Sequence, residues 1–403
     1  MPETSEALDF HEFHREQLPR RLDGGRSVDA ANAVRRLGSL AFRRSEGGAY
    51  TYVPGDDGIE VVPGDDTADT VLELSQETWQ GVVHELEAAA GLLYNQRAVC
   101  VRGNAIAWLS WEPGLRSMYN GRPIYDPDAL RLEDLRGKPL DPARAFRPGD
   151  EREEMAHFLR TAGYLLVRNL FSPDEVERFL GEAEALRAEA LKGDRLSWWG
   201  KNARGDEVLC RVTRAAAKPG LRTLPTDLRL EELKDLADEP LGHRARGTPE
   251  EAVSVIYKQP DMAEGLSDLP WHRDCGMGGH AVMCPILIAS VFLTPGNPET
   301  GDLRMLPGSW KAACAPIDAA HPRAPTGISI DAGPGDVLLH YSDTMHAAPP
   351  PSRHDLDTYR ISAVTGYARP GARHHQGATS YNAPLHRRTD GQIEHLSEVV
   401  KRP

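Results

Sequence analysis

Polar and charged positions dominate residues 1–35, a pattern that predicts a polar N-terminal arm or short helices. From residue 49 the period changes to two. Ala49-Tyr50-Thr51-Tyr52-Val53 alternates as a half-buried strand does, residues 54–58 supply a Pro/Gly/Asp turn, and residues 59–62 return as the second arm of a hairpin. Residues 70–74 and 98–103 read as two further strands. Ser75 stands where an N-cap is needed for a helix from Gln76 to Ala90, with Thr78 as a second candidate cap and Gly81 as a weak point. Strands mixed with helix over this length predict a small α+β domain at 36–126.

Residues 127–150 are rich in Pro, Asp and Arg and read as a linker. A second domain, 151–380, opens with a helix at 151–161 and a strand at 163–168. Ser172, Pro173 and Glu175 then form a capping box with proline at the first helical position, and the helix runs to about residue 192. Trp198 and Trp199 follow in a predicted loop. Short β segments come next at 254–258, 269–274, 286–294, 304–306, 328–330, 336–341 and 359–367, separated by Gly and Pro. That spacing predicts a sandwich or a jelly roll. Pro349-Pro350-Pro351 is a rigid loop, and 381–403 a polar tail. The predicted class is mainly β with α: a jelly-roll domain preceded by a small α+β domain.

Composition narrows the partners. A net charge of −13 without a dense Lys/Arg tract argues against nucleic acid, and the pairs Arg20-Arg21, Arg35-Arg36 and Arg43-Arg44 read as solvated surface. Five cysteines without a CxxC spacing argue against a disulfide framework or a zinc ribbon and for a reducing, cytoplasmic location. The N-terminus lacks signal-peptide character, and no apolar run is long enough for a transmembrane segment. Oligomeric state is not legible.

The densest chemistry lies in Pro270-Trp271-His272-Arg273-Asp274, the one His-x-Asp of the chain. Residues two apart on a strand share a face, so His272 and Asp274 can grip one metal ion. With a second histidine they make the 2-His-1-carboxylate facial triad of Fe(II) oxygenases, which leaves positions open for substrate and O₂. His346, just beyond a strand and a short loop, is favoured as that histidine over His340, inside the strand, and over His354, in a charged loop. A surface His and Asp in a loop is the bland alternative.

Such oxygenases draw two electrons from a 2-oxo acid whose far carboxylate needs a fixed cation. Arg360 suits that role, because a guanidinium binds a carboxylate bidentately. Ser362 shares its strand face, and Lys258 and Gln259 lie on a preceding strand where a rim salt bridge is the alternative role. Trp271 reads as packing or a pocket wall, and Met305 or Leu306 as core. Cys275 reads as a bystander beside the metal motif. His374-His375 reads as exposed loop, because adjacent residues face opposite ways on a strand.

From about 155 to 367 the chain resembles the phytanoyl-CoA dioxygenase family of Fe(II)/2-oxoglutarate oxygenases. Four blocks carry the likeness in order. They are residues 158–167 with 171–176, Trp271-His272-Arg273-Asp274, the run 293–295 to Gly301-Asp302-Leu303-Arg304-Met305-Leu306-Pro307-Gly308-Ser309, and Gly335-Asp336 with His346 and Arg360. Trp310 stands where the family has His, and Ala347-Ala348 where Gly-Ser is common. The loop from His346 to Arg360 is somewhat long.

The resemblance implies a double-stranded β-helix (jelly roll, cupin-like) with Fe(II) held by His272, Asp274 and His346. It implies 2-oxoglutarate as co-substrate, O₂ as oxidant, succinate and CO₂ as products, and hydroxylation of an unactivated C–H bond, with desaturation or ring formation as the alternative outcomes. Related halogenases lack the carboxylate, so Asp274 implies hydroxylation over halogenation. Over 37–125 the chain also resembles the sterol-carrier-protein fold, on Ala68-Asp69-Thr70-Val71-Leu72-Glu73-Leu74-Ser75, Trp79 and Gly103. That likeness implies a small, fairly apolar substrate, lipid, terpenoid or polyketide-like; a structural or dimerising appendage is the alternative. The competing functions are a non-catalytic metal-binding, cupin-like module and a zinc hydrolase using the same ligands.

Overall fold

The computed structural model describes residues 7–22, 25–194, 196–243, 248–264, 269–274 and 286–370. Cys275, Cys284, His374, His375 and the predicted tail 381–403 lie outside these residues.

The first unit is a five-stranded sheet of β1 (Leu40–Arg44), β2 (Ala49–Gly55), β3 (Gly58–Pro63), β4 (Thr70–Leu74) and β5 (Ala98–Arg102), in the order β3-β2-β1-β4-β5. The predicted hairpin is present, with Tyr52 opposite Val61, and β1 pairs parallel with β4. Helices cover the apolar side of the sheet, and Phe42, Tyr52, Trp79, Trp108 and Trp111 fill the space between. Each of these rings is fully buried.

At the N-terminus the structure has the second of the two expected forms, short helices over 10–37 rather than an arm: Phe10, Phe13 and Leu18 are fully buried, as are Ala30, Ala31 and Val34. Two elements differ from expectation. The helix expected over 76–90 is two, Gln76–Val83 and Ala89–Tyr94, with Glu85 between them at a left-handed φ of 55°. Ser75 caps the first of these, accepting from the Thr78 amide as expected. A 16-residue helix, Ala105–Asn120, was not predicted. Pro113 and Gly114 interrupt its pattern, since proline forfeits one backbone bond. Gly114 admits the neighbouring helix Arg26–Val34, and a Cβ there would stand 2.8 Å from Val34.

The stretch expected as a linker is laid along the second unit. Tyr125 donates from its amide to Ala313 and from its hydroxyl to the Pro307 carbonyl. The short strand β6 (Ala145–Phe146) pairs parallel with β7 (Tyr164–Val167). The helix Pro173–Glu189 carries the expected Ser172/Glu175 capping box.

The remaining strands are β8 (Ser197–Asn202), β9 (Glu207–Val212), β10 (Gly242–His243), β11 (Ser254–Tyr257), β12 (Met262–Glu264), β13 (Leu269–His272), β14 (Leu287–Phe292), β15 (Leu303–Met305), β16 (Ile328–Ile330), β17 (Val337–Tyr341), β18 (His346–Ala348) and β19 (Ile361–Ala368). They build a large sheet, β12-β8-β9-β11-β19-β14-β17-β7-β6, with β10 beside β19, and a small sheet, β13-β18-β15-β16. Two sheets with this succession of short antiparallel strands are the double-stranded β-helix. Trp198 and Trp199 lie in β8 rather than in a loop.

One face of the large sheet packs on the helices through Val255, Tyr257, Leu287, Ala289, Val291, Leu339, Ile361 and Ala363. Alternation turns Ser254, Ile256, Ser290, His340 and Ser362 to the other face. Lys258 continues that row and reaches the small sheet, its Nζ donating to the Ala348 carbonyl at 2.8 Å. The space between the sheets is therefore lined from one side by a partly polar row.

Candidate active site

His272 and His346 are cross-strand partners in the antiparallel pair of β13 and β18. Opposed residues on adjacent strands bring their side chains together, and the two rings lie 4.2 Å apart, centroid to centroid. Asp274 sits in the bend after β13, where its amide donates to the Ser342 carbonyl. One Asp274 oxygen is 3.7 Å from His272 Nε2. One ligand atom from each of His272, Asp274 and His346 falls within 4.8 Å of the others, and among the described residues this is the one such cluster. His346 is buried, while His272 and Asp274 are half-buried.

The hydrogen bonds fix which nitrogen each histidine offers. His272 Nδ1 lies 2.7 Å from the Pro270 carbonyl and His346 Nδ1 lies 2.9 Å from the Thr344 carbonyl. A carbonyl only accepts, so each Nδ1 carries the proton and each Nε2 keeps its lone pair. Metal-bound histidines are held in this way by outer partners. Burial, joined by the neighbouring His346, holds His272 below its ordinary pKa. Burial lowers His346 in the same sense, against the pull of Asp274. Two neutral imidazoles and a carboxylate suit a divalent ion such as Fe(II), and the residues present fit the expected metal.

The approach to His346 is braced. Ser309, from the Pro-Gly-Ser run, accepts from the Met345 amide at 2.8 Å and donates to the Leu306 carbonyl. Asp336 accepts from Arg168, from the Asn169 amide and from the Gly333 amide, which holds the turn before β17. Trp310 stacks on Tyr341 with centroids 3.9 Å apart, so its departure from the family pattern serves packing. Trp271 packs with Leu306, Cys314 and Met345. His340 is buried, its ring 4.8 Å from that of His346, with Nδ1 at the Tyr341 carbonyl. His354 is exposed and pairs with Asp261.

Arg360 is 3 % exposed and immediately precedes β19; its positive charge is felt at His346. Ser362 is buried on the inward row, opposite Ile256 and Phe292. Lys258 is buried too and is tied to β18 two residues beyond His346. Its amide donates to the Arg360 carbonyl at 2.8 Å, which sets the two cations on adjacent strands.

Residues 159–354 match the family model for phytanoyl-CoA dioxygenase (PhyH). The second unit is a PhyH-family domain. That family is one of dioxygenases, and the matched residues include His272, Asp274 and His346. No curated protein sequence matches the chain significantly. Among solved structures, AviO1 from Streptomyces viridochromogenes Tue57 is 26% identical, over 55% of this chain and 97% of that one, at a TM-score of 0.43. The 2-oxoglutarate-dependent epimerase SnoN from nogalamycin biosynthesis is 22% identical, over 57% and 91%, at 0.41. EctD from S. alaskensis is 20% identical, over 62% and 86%, at 0.43. At these TM-scores none carries an inference about substrate. No helix among the described residues is long and apolar enough to cross a membrane.

Sequence reasoning missed one feature beside the candidate site of the PhyH-family domain. Arg273, between two predicted ligands, does not face solvent. It donates to Glu112 of the first unit at 2.7 Å and to Asp343 at 3.3 Å. Burial opposes its charge, but Asp343 and Glu112 outweigh burial and raise its pKa. The signal available in the sequence was an arginine held between two candidate metal ligands.

Proposed function

We propose that this chain is an Fe(II)- and 2-oxoglutarate-dependent hydroxylase of an unactivated C–H bond in a small, fairly apolar molecule. What supports it most is the convergence of His272, Asp274 and His346, with both histidines locked to offer Nε2. Iron, when bound, supplies O₂ activation coupled to oxidative decarboxylation of 2-oxoglutarate to succinate and CO₂. The chain's own residues do the positioning. His272 and His346 offer neutral nitrogens, and Asp274 fills the third position, which favours hydroxylation over halogen transfer. Arg360, buried and on the inward side, receives the far carboxylate of the co-substrate, assisted by the Ser362 hydroxyl. Lys258 holds the end of β18 and adds positive charge on the same side.

Ile256, Ile288 and Val364 occupy the inward row beyond Ser362, which supports a fairly apolar substrate. The lipid-like class rests on the resemblance of the first unit alone. Fully buried aromatic rings fill the core of that unit and favour its role as a structural appendage.

The test is succinate release by the purified chain supplied with Fe(II), 2-oxoglutarate and O₂. Release that stops without O₂ supports the proposal. Retained metal binding with no release would favour a binding module, and turnover without O₂ would overturn the oxygenase assignment.

A further inference from the structure

Six charged side chains form a continuous chain from the first unit to the metal segment. Arg122 donates to Glu85 at 3.0 Å, and Arg116 Nε donates to the other Glu85 oxygen at 3.0 Å. Arg116 Nη2 pairs with Asp343 at 3.5 Å. Asp343 accepts from Arg273 at 3.3 Å, and Arg273 ends on Glu112 at 2.7 Å. Three carboxylates face three guanidiniums, so the chain is neutral in sum. The side chains of Glu85, Arg116 and Asp343 are 6, 5 and 3 % exposed, and those of Arg273 and Glu112 are 10 and 15 % exposed.

The placement of these residues matters. Glu112 and Arg116 are one turn apart on the helix Ala105–Asn120, so they present one edge to the second unit. Arg273 separates His272 from Asp274. Asp343 lies in the loop that ends at His346. Arg273 therefore clamps both metal-bearing segments, and the first unit supplies its second carboxylate. Glu85 holds the far end at the left-handed φ noted above, a conformation that L residues adopt at a cost.

We propose that the first unit orients the metal ligands through this ion chain, with Glu112 as a positioning residue for His272 and Asp274. The proposal rests on the metal assignment made above. A carboxylate supplied by another domain fixes Arg273, and Arg273 fixes the backbone on either side of it. Without Glu112, Arg273 is held by Asp343 alone of these two carboxylates, and the spacing of the two ligands loosens.

The test compares full-length wild type, Glu112→Gln and Glu87→Gln. Glu87 pairs with Arg97 in the same first unit but lies outside the chain of charges. Anaerobic Co(II) titration of the metal-free proteins gives affinity and ligand-field spectrum, and thermal unfolding reports stability. Outer partners of metal ligands are worth about 10–100-fold in affinity. Glu112→Gln is expected to weaken Co(II) binding about tenfold and shift its spectrum, while Glu87→Gln leaves both unchanged at whatever melting temperature it shows. Restored affinity in Glu112→Asp would add support. Wild-type affinity and spectrum in Glu112→Gln, or equal losses in both Gln variants, would overturn the proposal. Wild-type binding that His272→Ala leaves intact would instead overturn the metal assignment itself.

Discussion

Arg273 donates to Asp343 across 3.3 Å and so ties the segment of His272 and Asp274 to the loop that delivers His346. Asp343 also pairs with Arg116, and its own side chain is 3 % exposed. Replacing it leaves two buried guanidiniums short of one carboxylate each. Breaking a buried pair costs about 3–5 kcal/mol. Asp343→Asn is therefore expected to lower the urea midpoint strongly, measured by tryptophan fluorescence, whereas a midpoint within error of wild type would mean that the charges are not mutually dependent.

The co-substrate anchor makes a kinetic prediction. Hydrogen bonds to charged groups are worth about 1.5–3 kcal/mol, so Arg360→Ala is expected to raise KM for 2-oxoglutarate by about 10–100-fold. Metal affinity should change little, because Arg360 is no ligand. Asp274→Ala should instead abolish hydroxylation and weaken Fe(II) binding. Steady-state kinetics with 2-oxoglutarate varied, alongside metal titration, separates the two.

His14 predicts a pH dependence of stability. It is buried among Phe10, Tyr50 and Trp79, its Nδ1–H donating to the Phe10 carbonyl and its Nε2 accepting from the Tyr52 hydroxyl, which in turn meets Tyr119. Burial pushes its pKa down to about 4, from an ordinary 6.5. The unfolded chain then binds a proton that the folded chain refuses between those values. Stability is full above pH 6.5 and falls as pH drops toward 4, by up to about 3 kcal/mol. Urea midpoints at pH 7.5 and 4.5 measure this, and His14→Gln should flatten the difference.

Gly335 predicts a steric effect. Its φ is +85°, and an added Cβ would lie 2.4 Å from the Phe171 carbonyl oxygen. Gly335→Ala must move the turn that Asp336 holds and should cost about 1–3 kcal/mol. Calorimetry on the purified variant would show the loss as a lowered melting temperature.

Much of the second unit was legible because its signals are local. The Ser172/Glu175 cap, the strand spacing and the single His-x-Asp each depend on neighbouring residues. The choice of His346 over His340 followed from its place beyond the strand, and the pairing of β13 with β18 gives that choice its geometry. Other features were hidden. Pro113 and Gly114 break the helical pattern of residues 105–120. The adjacent Trp198 and Trp199 disguise the alternation of β8, where only Trp198 faces the row with Arg211. The ion chain joins Glu112 to Arg273 across 161 positions and Arg116 to Asp343 across 227, a pairing that no local spacing encodes.

The central claim is that His272, Asp274 and His346 hold Fe(II) where 2-oxoglutarate can join it. Anaerobic addition of 2-oxoglutarate to the Fe(II)-loaded chain, followed by visible absorbance, tests this most directly. A metal-to-ligand charge-transfer band should rise in the wild type, need far more 2-oxoglutarate in Arg360→Ala, and be lost in His346→Ala. Fe(II) bound without such a band, or an undiminished band in His346→Ala, would contradict the account.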